Sequence, residues 1–394
     1  MNRSVERRQF RAVGTVAGEI LVGHRYIHPV RGPVWCPAAP LVVAGLRRAG
    51  HRVRETSCLR LAACGEGELF AASYIDPDGH AIGLAAAAHQ TDEAGLAAVR
   101  EVIMTWSAVW RTRRVMVADI QDACTASPYA HEAAGATPDH RRRRIDLVPA
   151  QRGRTSGARM TMALAVDSVV GAVDDATCPH VDRAHAEAQR FADRGDHVVI
   201  IGQRDHAEAS ALLALTPERS VVVESEEDVA ALRLPADRVS YVVQPGTTIE
   251  GAMSALASLR LRYPRSRGAH PDHLCYAASD RLETTRLVIG GSDLTILLGD
   301  PEEAASCATN APTMEVLSDP TALQPSRLAA ECIGVVPVGQ LGVRLLPRLV
   351  TVLSGLGPLA VIHRRITTRT DFAGSWEMTN ALQTAGIVEN FQAK

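Results

Sequence analysis

Lysine is all but missing from this chain. Of the 42 Lys+Arg residues only Lys394 is lysine, a bias that, with the abundant alanine, reflects GC-rich coding rather than a function. Excess charge of either sign is missing too. A formal net charge of −2 argues against a dedicated nucleic-acid binder, which carries a clear basic excess. The one dense basic run, Arg141 to Arg144, reads as a solvated loop. No stretch approaches the roughly 18 uninterrupted apolar residues of a membrane span, and the opening MNRSVERRQFR lacks the apolar core of a signal peptide. A cytoplasmic protein with no membrane partner is the expectation. No CxxC pair occurs, which argues against a zinc finger. Eight cysteines scattered over 394 residues are then no disulfide framework but free thiols, some of them candidate metal or cluster ligands.

What is present is a globular composition, 46% hydrophobic and 22% charged, on a chain long enough for two or three units. Short β-branched runs end in Gly, Gln or Asp and lead into Ala/Leu-rich helical stretches. HVVIIGQ precedes HAEASALLAL, RVSYVVQPG precedes TIEGAMSALASLRLRY, LTILLGD precedes PEEAASCAT, and CIGVVPVGQ precedes LGVRLLPRLVTVLSGLG. Nearly all-apolar strands covered by helices predict parallel α/β layers, whose ligands gather at the carboxyl ends of the strands. The N-terminal third begins in the same way. Its TDEAGLAAVREVIMTWSAVW segment has Thr91 as the expected N-cap, and it runs into the strong strand RRVMVADI past a boundary at Arg111 to Arg114. Residues 137–159 are polar and poorly periodic, a long loop.

Three cysteines share one setting. Cys124 in QDACTASPYAHEAA, Cys178 in DDATCPHVDRAHAEA and Cys275 in PDHLCYAASDRLETT each precede a helix-forming segment. There the helix dipole favours a thiolate. Three thiolates converging from three repeated units suit a [4Fe–4S] cluster with one iron left without a protein ligand, an open position of the kind that binds substrate oxygen.

DATCPHVDRAH resembles the second cysteine motif of the LytB family, the 4-hydroxy-3-methylbut-2-enyl diphosphate reductases of isoprenoid synthesis. The resemblance continues in order through VVIIGQRDHAEA, VVVESEEDVAAL, RVSYVVQPGTTI, LRLRYP, LCYAASDRLETT, LTILLGD and CIGVVPVG, roughly residues 174–359. VMVADIQDACTASPYA is similar to a diverged form of the family's first cysteine motif and nominates Cys124 as first ligand; Cys36, in GPVWCPAAPLVVAGL, is the alternative. The resemblance implies an α/β fold, a trefoil of three modules around a central [4Fe–4S] cluster, here with an N-terminal α/β extension. The expected division is 1–112 extension, 113–175 shortened first module, 176–265 second, 266–364 third and 365–394 tail. It also implies reductive removal of an allylic hydroxyl held at the open iron, with ferredoxin or flavodoxin as electron donor. His206 matches a diphosphate-contacting histidine, and Glu208 the glutamate that relays a proton to the leaving hydroxyl.

Other family positions depart from the pattern. The first histidine of that segment is Gln203. The family's threonine pair falls at Thr247 or Thr248 after a shift, and its late serine aligns with Gln340. Where the diphosphate is gripped, Asp300, Glu302 and Glu303 stand, and carboxylates repel a diphosphate. Beyond the third cysteine motif, a threonine becomes Ala278 and an asparagine Asp280. The two early histidine motifs are missing, with only His131 and His140 in that interval; His80 or His89 of the extension are candidates to replace them. These departures predict a LytB-type reductase acting on a small molecule other than the usual diphosphate. The alternatives are a genuine diphosphate reductase with a rebuilt pocket, or a non-catalytic cluster sensor. For the extension, the options are capping the site, completing the first module or making a homodimer.

Overall fold

β-branched apolar runs become strands, and the Ala/Leu-rich stretches after them become helices. A computed structural model of the chain describes residues 5–120, 144–147, 151–152, 179–270, 273–302, 304 and 313–368. The fold is mixed α/β. It divides into two compact units: residues 1–119, 148–170 and 285–364, and residues 120–147, 171–284 and 365–394. None of the described helices is long and apolar enough to cross a membrane.

The first unit opens with β1 (Glu6–Ala12), β2 (Ile20–Gly23), β3 (Arg25–His28), β4 (Gly32–Trp35), α1 (Ala39–Arg48), β5 (Val53–Thr56), β6 (Gly67–Ile75), β7 (Ala81–His89) and α2 (Glu93–Ala108). These strands make one sheet in the order β1-β6-β7-β2-β5, with β4 pairing with β7 and β3 with β4. β6 and β7 form a hairpin whose turn is set by Asp76, which accepts the N–H groups of Asp78 and His80, with Gly79 at φ 86. Helix α2 is capped by Asp92, whose Oδ1 accepts the N–H of Gly95 at 2.9 Å. This corrects the expectation for Thr91, whose hydroxyl is instead engaged by His89 Nδ1.

The same unit continues with β8 (Arg113–Ala118) and β10 (Gln151–Arg152), between which β9 (Arg144–Leu147) falls in the other unit. Both short strands lie inside the segment expected to be a loop. β10 pairs with a strand more than 200 residues downstream, a partner that local composition does not reveal. Numbered in chain order, the remaining strands are β11 (His197–Ile201), β12 (Ser220–Val223), β13 (Val239–Val243), β14 (Arg267–Gly268), β15 (Leu294–Leu298), β16 (Met314–Leu317), β17 (Cys332–Pro337) and β18 (Leu359–Thr367). The remaining helices are α3 (Pro179–Asp193), α4 (Ala207–Leu215), α5 (Glu226–Ala231), α6 (Ile249–Arg262), α7 (Ala277–Gly290) and α8 (Gly339–Ser354).

A second sheet of the first unit has the order β10-β18-β8-β17-β15-β16. β8, which the sequence groups with the first module, runs between β17 and β18 and parallel to both. One hydrophobic cluster runs from the N-terminal sheet and its helices, through Leu41, Val42, Leu46, Leu84 and Trp106, into Val115, Val117, Ile296, Val335 and Leu353. Each such side chain contributes roughly 1.5–3 kcal/mol by leaving water. The N-terminal residues therefore share a core with β8, β15, β17 and α8. Arg113 is buried beside it and donates to the backbone carbonyls of Val109, Leu328 and Leu356.

The second unit is a four-stranded sheet in the order β12-β11-β13-β14, parallel throughout. Its strands are apolar on both faces, as sandwiching by helices requires. Val198 and Ile200 meet Ala184, Ala188, Phe191, Ala209 and Leu212 of α3 and α4. Val199 and Ile201 alternate to the opposite face and meet Val229, Ala255, Leu256 and Leu259 of α5 and α6. The helix starts are thereby placed at the carboxyl ends of β11 and β13.

Candidate functional site

β11 ends at Ile201 and β13 at Val243, and the turns that follow are clipped together. Gln244 is buried, and its Oε1 accepts the N–H of Gln203 at 2.9 Å. Gly202 is required here, because a Cβ on it would collide with that amide. The Gln203 side chain itself is exposed.

Past this clip α4 opens on His206, which is its N-cap: Nδ1 accepts the N–H of Glu208 at 3.1 Å. An accepting Nδ1 carries no hydrogen, so the neutral ring bears its proton on Nε2. The exposed His206 thus presents an Nε2–H donor outward. Glu208 sits in the first turn, where the helix dipole favours a carboxylate. Its side chain is only 14% exposed, and its Oε1 lies 2.7 Å from Nε2 of His185 on α3.

The two threonines after β13 differ. Thr248 caps α6, its Oγ1 accepting the N–H of Gly251 at 3.2 Å. Thr247 Oγ1 is buried and has no hydrogen-bond partner among the described residues. A buried hydroxyl left unpaired is costly and rare, so Thr247 is the one with a contact still to make.

Cys275 is buried two residues ahead of α7. The turn leading into it is bound to α3, because Glu187 Oε1 accepts from His273 Nδ1 at 2.6 Å and Glu187 is itself buried. In the first turn of α3, His180 Nδ1 is buried without a hydrogen-bond partner among the described residues. Burial pushes the His180 imidazole below its ordinary range, against an upward pull from the His273 backbone. α3 begins at Pro179, the residue after Cys178. Cys178 and Cys124 lie outside the described residues, as do His131, His140 and Glu303.

The remaining nominees are placed elsewhere. Cys36 is buried in the apolar core of the first unit, where desolvation pushes its thiol far up. His89 and His80 serve the turns at the ends of β7. Gln340 is exposed in the first turn of α8, also in the first unit. Asp300 Oδ1 accepts the N–H of Glu302 at 2.9 Å and caps the turn after β15. Asp280 accepts from the backbone and hydroxyl of Thr368, while Ala278 is simply part of α7. Sequence reasoning overlooked His185, Glu187, Gln244 and His273. All four lie inside the stretches DDATCPHVDRAHAEA, RVSYVVQPG and PDHLCYAASDRLETT, so their motif context was the available signal.

Residues 154–313 match the family model described as LytB protein. Over 206 residues the chain is 32% identical to 4-hydroxy-3-methylbut-2-enyl diphosphate reductase 2 of Mycobacterium bovis, covering 50% of this chain and 63% of that protein. Over 135 residues it is 36% identical to 4-hydroxy-3-methylbut-2-enyl diphosphate reductase of Ruegeria pomeroyi, covering 34% and 42%. The chain thus spans less than two thirds of the length of these relatives. A structure of the E-1-hydroxy-2-methyl-but-2-enyl-4-diphosphate reductase from Plasmodium falciparum is similar over 69% of this chain and 98% of that one, with 16% identity and a TM-score of 0.43. The matched segment contains Cys178, His206, Glu208, Thr247, Thr248 and Cys275, and excludes Cys124, Cys36 and Gln340.

Proposed function

We propose that this chain, a divergent LytB relative with an additional N-terminal region, is an iron–sulfur reductase that removes a hydroxyl from an allylic substrate. The observation that carries the reading is the placement of α3. This helix starts directly after Cys178, reaches Glu208 through His185, and reaches the turn into Cys275 through Glu187 and His273. The donor set fits a [4Fe–4S] cluster with Cys124, Cys178 and Cys275 as ligands. Cys275 is buried at a helix start, and the unpaired Nδ1 of His180 lies in the same first turn that follows Cys178. When bound, such a cluster supplies electrons and an iron position open to oxygen.

The residues of the chain do the rest. Thr247 offers its unpaired hydroxyl to the substrate oxygen, and His206 offers Nε2–H to an anionic or polar group. Glu208 delivers a proton to the departing hydroxyl, which leaves as water while the carbon takes up a second proton and two electrons. Ferredoxin or flavodoxin is the electron donor in this reading.

4-Hydroxy-3-methylbut-2-enyl diphosphate, named for the relatives, is the first substrate to assay. A second reading, a non-phosphorylated allylic alcohol, is favoured by one observation: Asp300 and the exposed Glu302 stand at the turn where the family pattern grips the diphosphate. Anaerobic turnover with a chemical reductant, run on the diphosphate and on the free alcohol, separates the two. In either case Glu208→Gln should keep the cluster absorption and lower kcat by about 10²-fold or more. Turnover of neither substrate, with an intact cluster, points to a sensor instead.

A further inference from the structure

Glu208 stands at the start of α4 with a long side chain that the helix itself does not hold. Among the described residues its carboxyl has one hydrogen-bond partner, His185 Nε2 at 2.7 Å. His185 is 31% exposed and Glu208 14%, so the pair is partly shielded from solvent. The backbone N–H of Glu208 is separately tied to His206 Nδ1. The residue is therefore fixed at both ends, by its own N-cap and by the neighbouring helix.

We infer that His185 is the positioning residue for Glu208, holding its carboxyl in one place in both of its protonation states. The reasoning rests on the reductase reading above and on the chemistry of imidazole. When Glu208 is ionised, His185 donates from Nε2–H. When Glu208 carries a proton, it donates to an Nε2 that is free because the ring proton sits on Nδ1. The same 2.7 Å contact serves before and after the proton leaves Glu208, because the part-exposed His185 ring then takes a proton from water at Nε2 and releases the one on Nδ1 to water. Arginine in this place would only donate and would hold the carboxyl ionised. Asp182 lies one turn before His185 on α3 and His206 caps the start of α4, so these are the nearest titratable groups along the two helices. Glu187 is already bound to His273.

The experiment compares His185→Leu, His185→Arg and His185→Gln in the intact, cluster-loaded protein. His185→Leu should lower kcat by about tenfold to a hundredfold with KM little changed. His185→Gln, whose amide both donates and accepts, should restore most of that loss, and His185→Arg should not. A mere structural tether would accept Arg as readily as Gln, so equal activity in those two variants overturns the inference. So does a His185→Leu variant with wild-type kcat while Glu208→Gln is inactive. If Glu208→Gln itself turns over at the wild-type rate, the reductase reading fails instead. A readout without turnover is the melting temperature of His185→Leu, Glu208→Gln and the double variant. A coupled pair gives a double loss smaller than the sum of the singles, and strictly additive losses show that the pair does not act together.

Discussion

Glu187 Oε1 and His273 Nδ1 are 2.6 Å apart, and this contact fastens the helix that follows Cys178 to the turn that precedes Cys275. Two cysteine motifs almost a hundred residues apart in sequence are joined through it. Glu187 is buried and His273 part-exposed, so the contact holds a buried carboxylate to the edge of the site. Glu187→Ala should lower the melting temperature and reduce the iron retained on gel filtration. Glu187→Gln, which keeps an acceptor oxygen, should do so less. Full iron retention in Glu187→Ala would show that the contact does not organise the site.

Cys36 and Cys124 were both open as the first cluster ligand on sequence alone. Cys36 is buried within the apolar core of the first unit, which favours packing over ligation. Cys36→Ala is expected to leave the iron content of the purified protein unchanged, at a stability cost of about 1 kcal/mol for the lost sulfur. Cys124→Ala is expected to cut the iron content sharply. Iron analysis of the two variants side by side decides the assignment, and the reverse pattern would transfer the role to Cys36.

Asp196 shows how the second unit responds to acid. Burial works to raise its carboxyl, but hydrogen bonds from Ser240 Oγ and Arg194, with the charges of Arg194 and Arg267, outweigh it and hold it below the ordinary carboxylate range. A group depressed in this way adds stability that is fully present above the unfolded value of about 4 and is lost as pH falls through the folded one. Asp196→Asn should therefore cost about 2 kcal/mol at neutral pH. Below pH 4 the variant and the parent should converge in urea midpoint. A difference that persists unchanged at low pH would contradict the assignment.

Arg113 holds three carbonyls in the first unit, those of Val109, Leu328 and Leu356. Burial pulls its guanidinium down to about 10, aided by the neighbouring Arg111. Arg113→Met keeps the length of the stem but strands those carbonyls. The expected loss is about 3 kcal/mol, read as a lower denaturant midpoint at constant slope. A shift below a few tenths of a kcal/mol would mean that water replaces the guanidinium without cost.

The parts of the fold set by short-range pattern were legible. HVVIIGQ and RVSYVVQPG fold as β11 and β13, and their Gly/Gln ends form the turns where Gln203 and Gln244 meet. Glu208 and His206 were marked by their place in a recognisable motif. Contacts between distant segments were not legible. Nothing local announces that His185 reaches Glu208 across 23 residues, or that β8 pairs with β17 and β18 from the far end of the chain. The choice between Thr247 and Thr248 also needed geometry, because only the fold shows which hydroxyl is already used as a cap.

The central claim is that the chain binds an iron–sulfur cluster and uses it with Glu208. The most direct measurement is iron and sulfide analysis with absorption and EPR spectra of anaerobically purified or reconstituted protein. The account predicts a brown protein with about four irons and four sulfides per chain, whose spectrum shifts when an allylic alcohol or its diphosphate is added. A colourless protein that takes up no iron on reconstitution contradicts it.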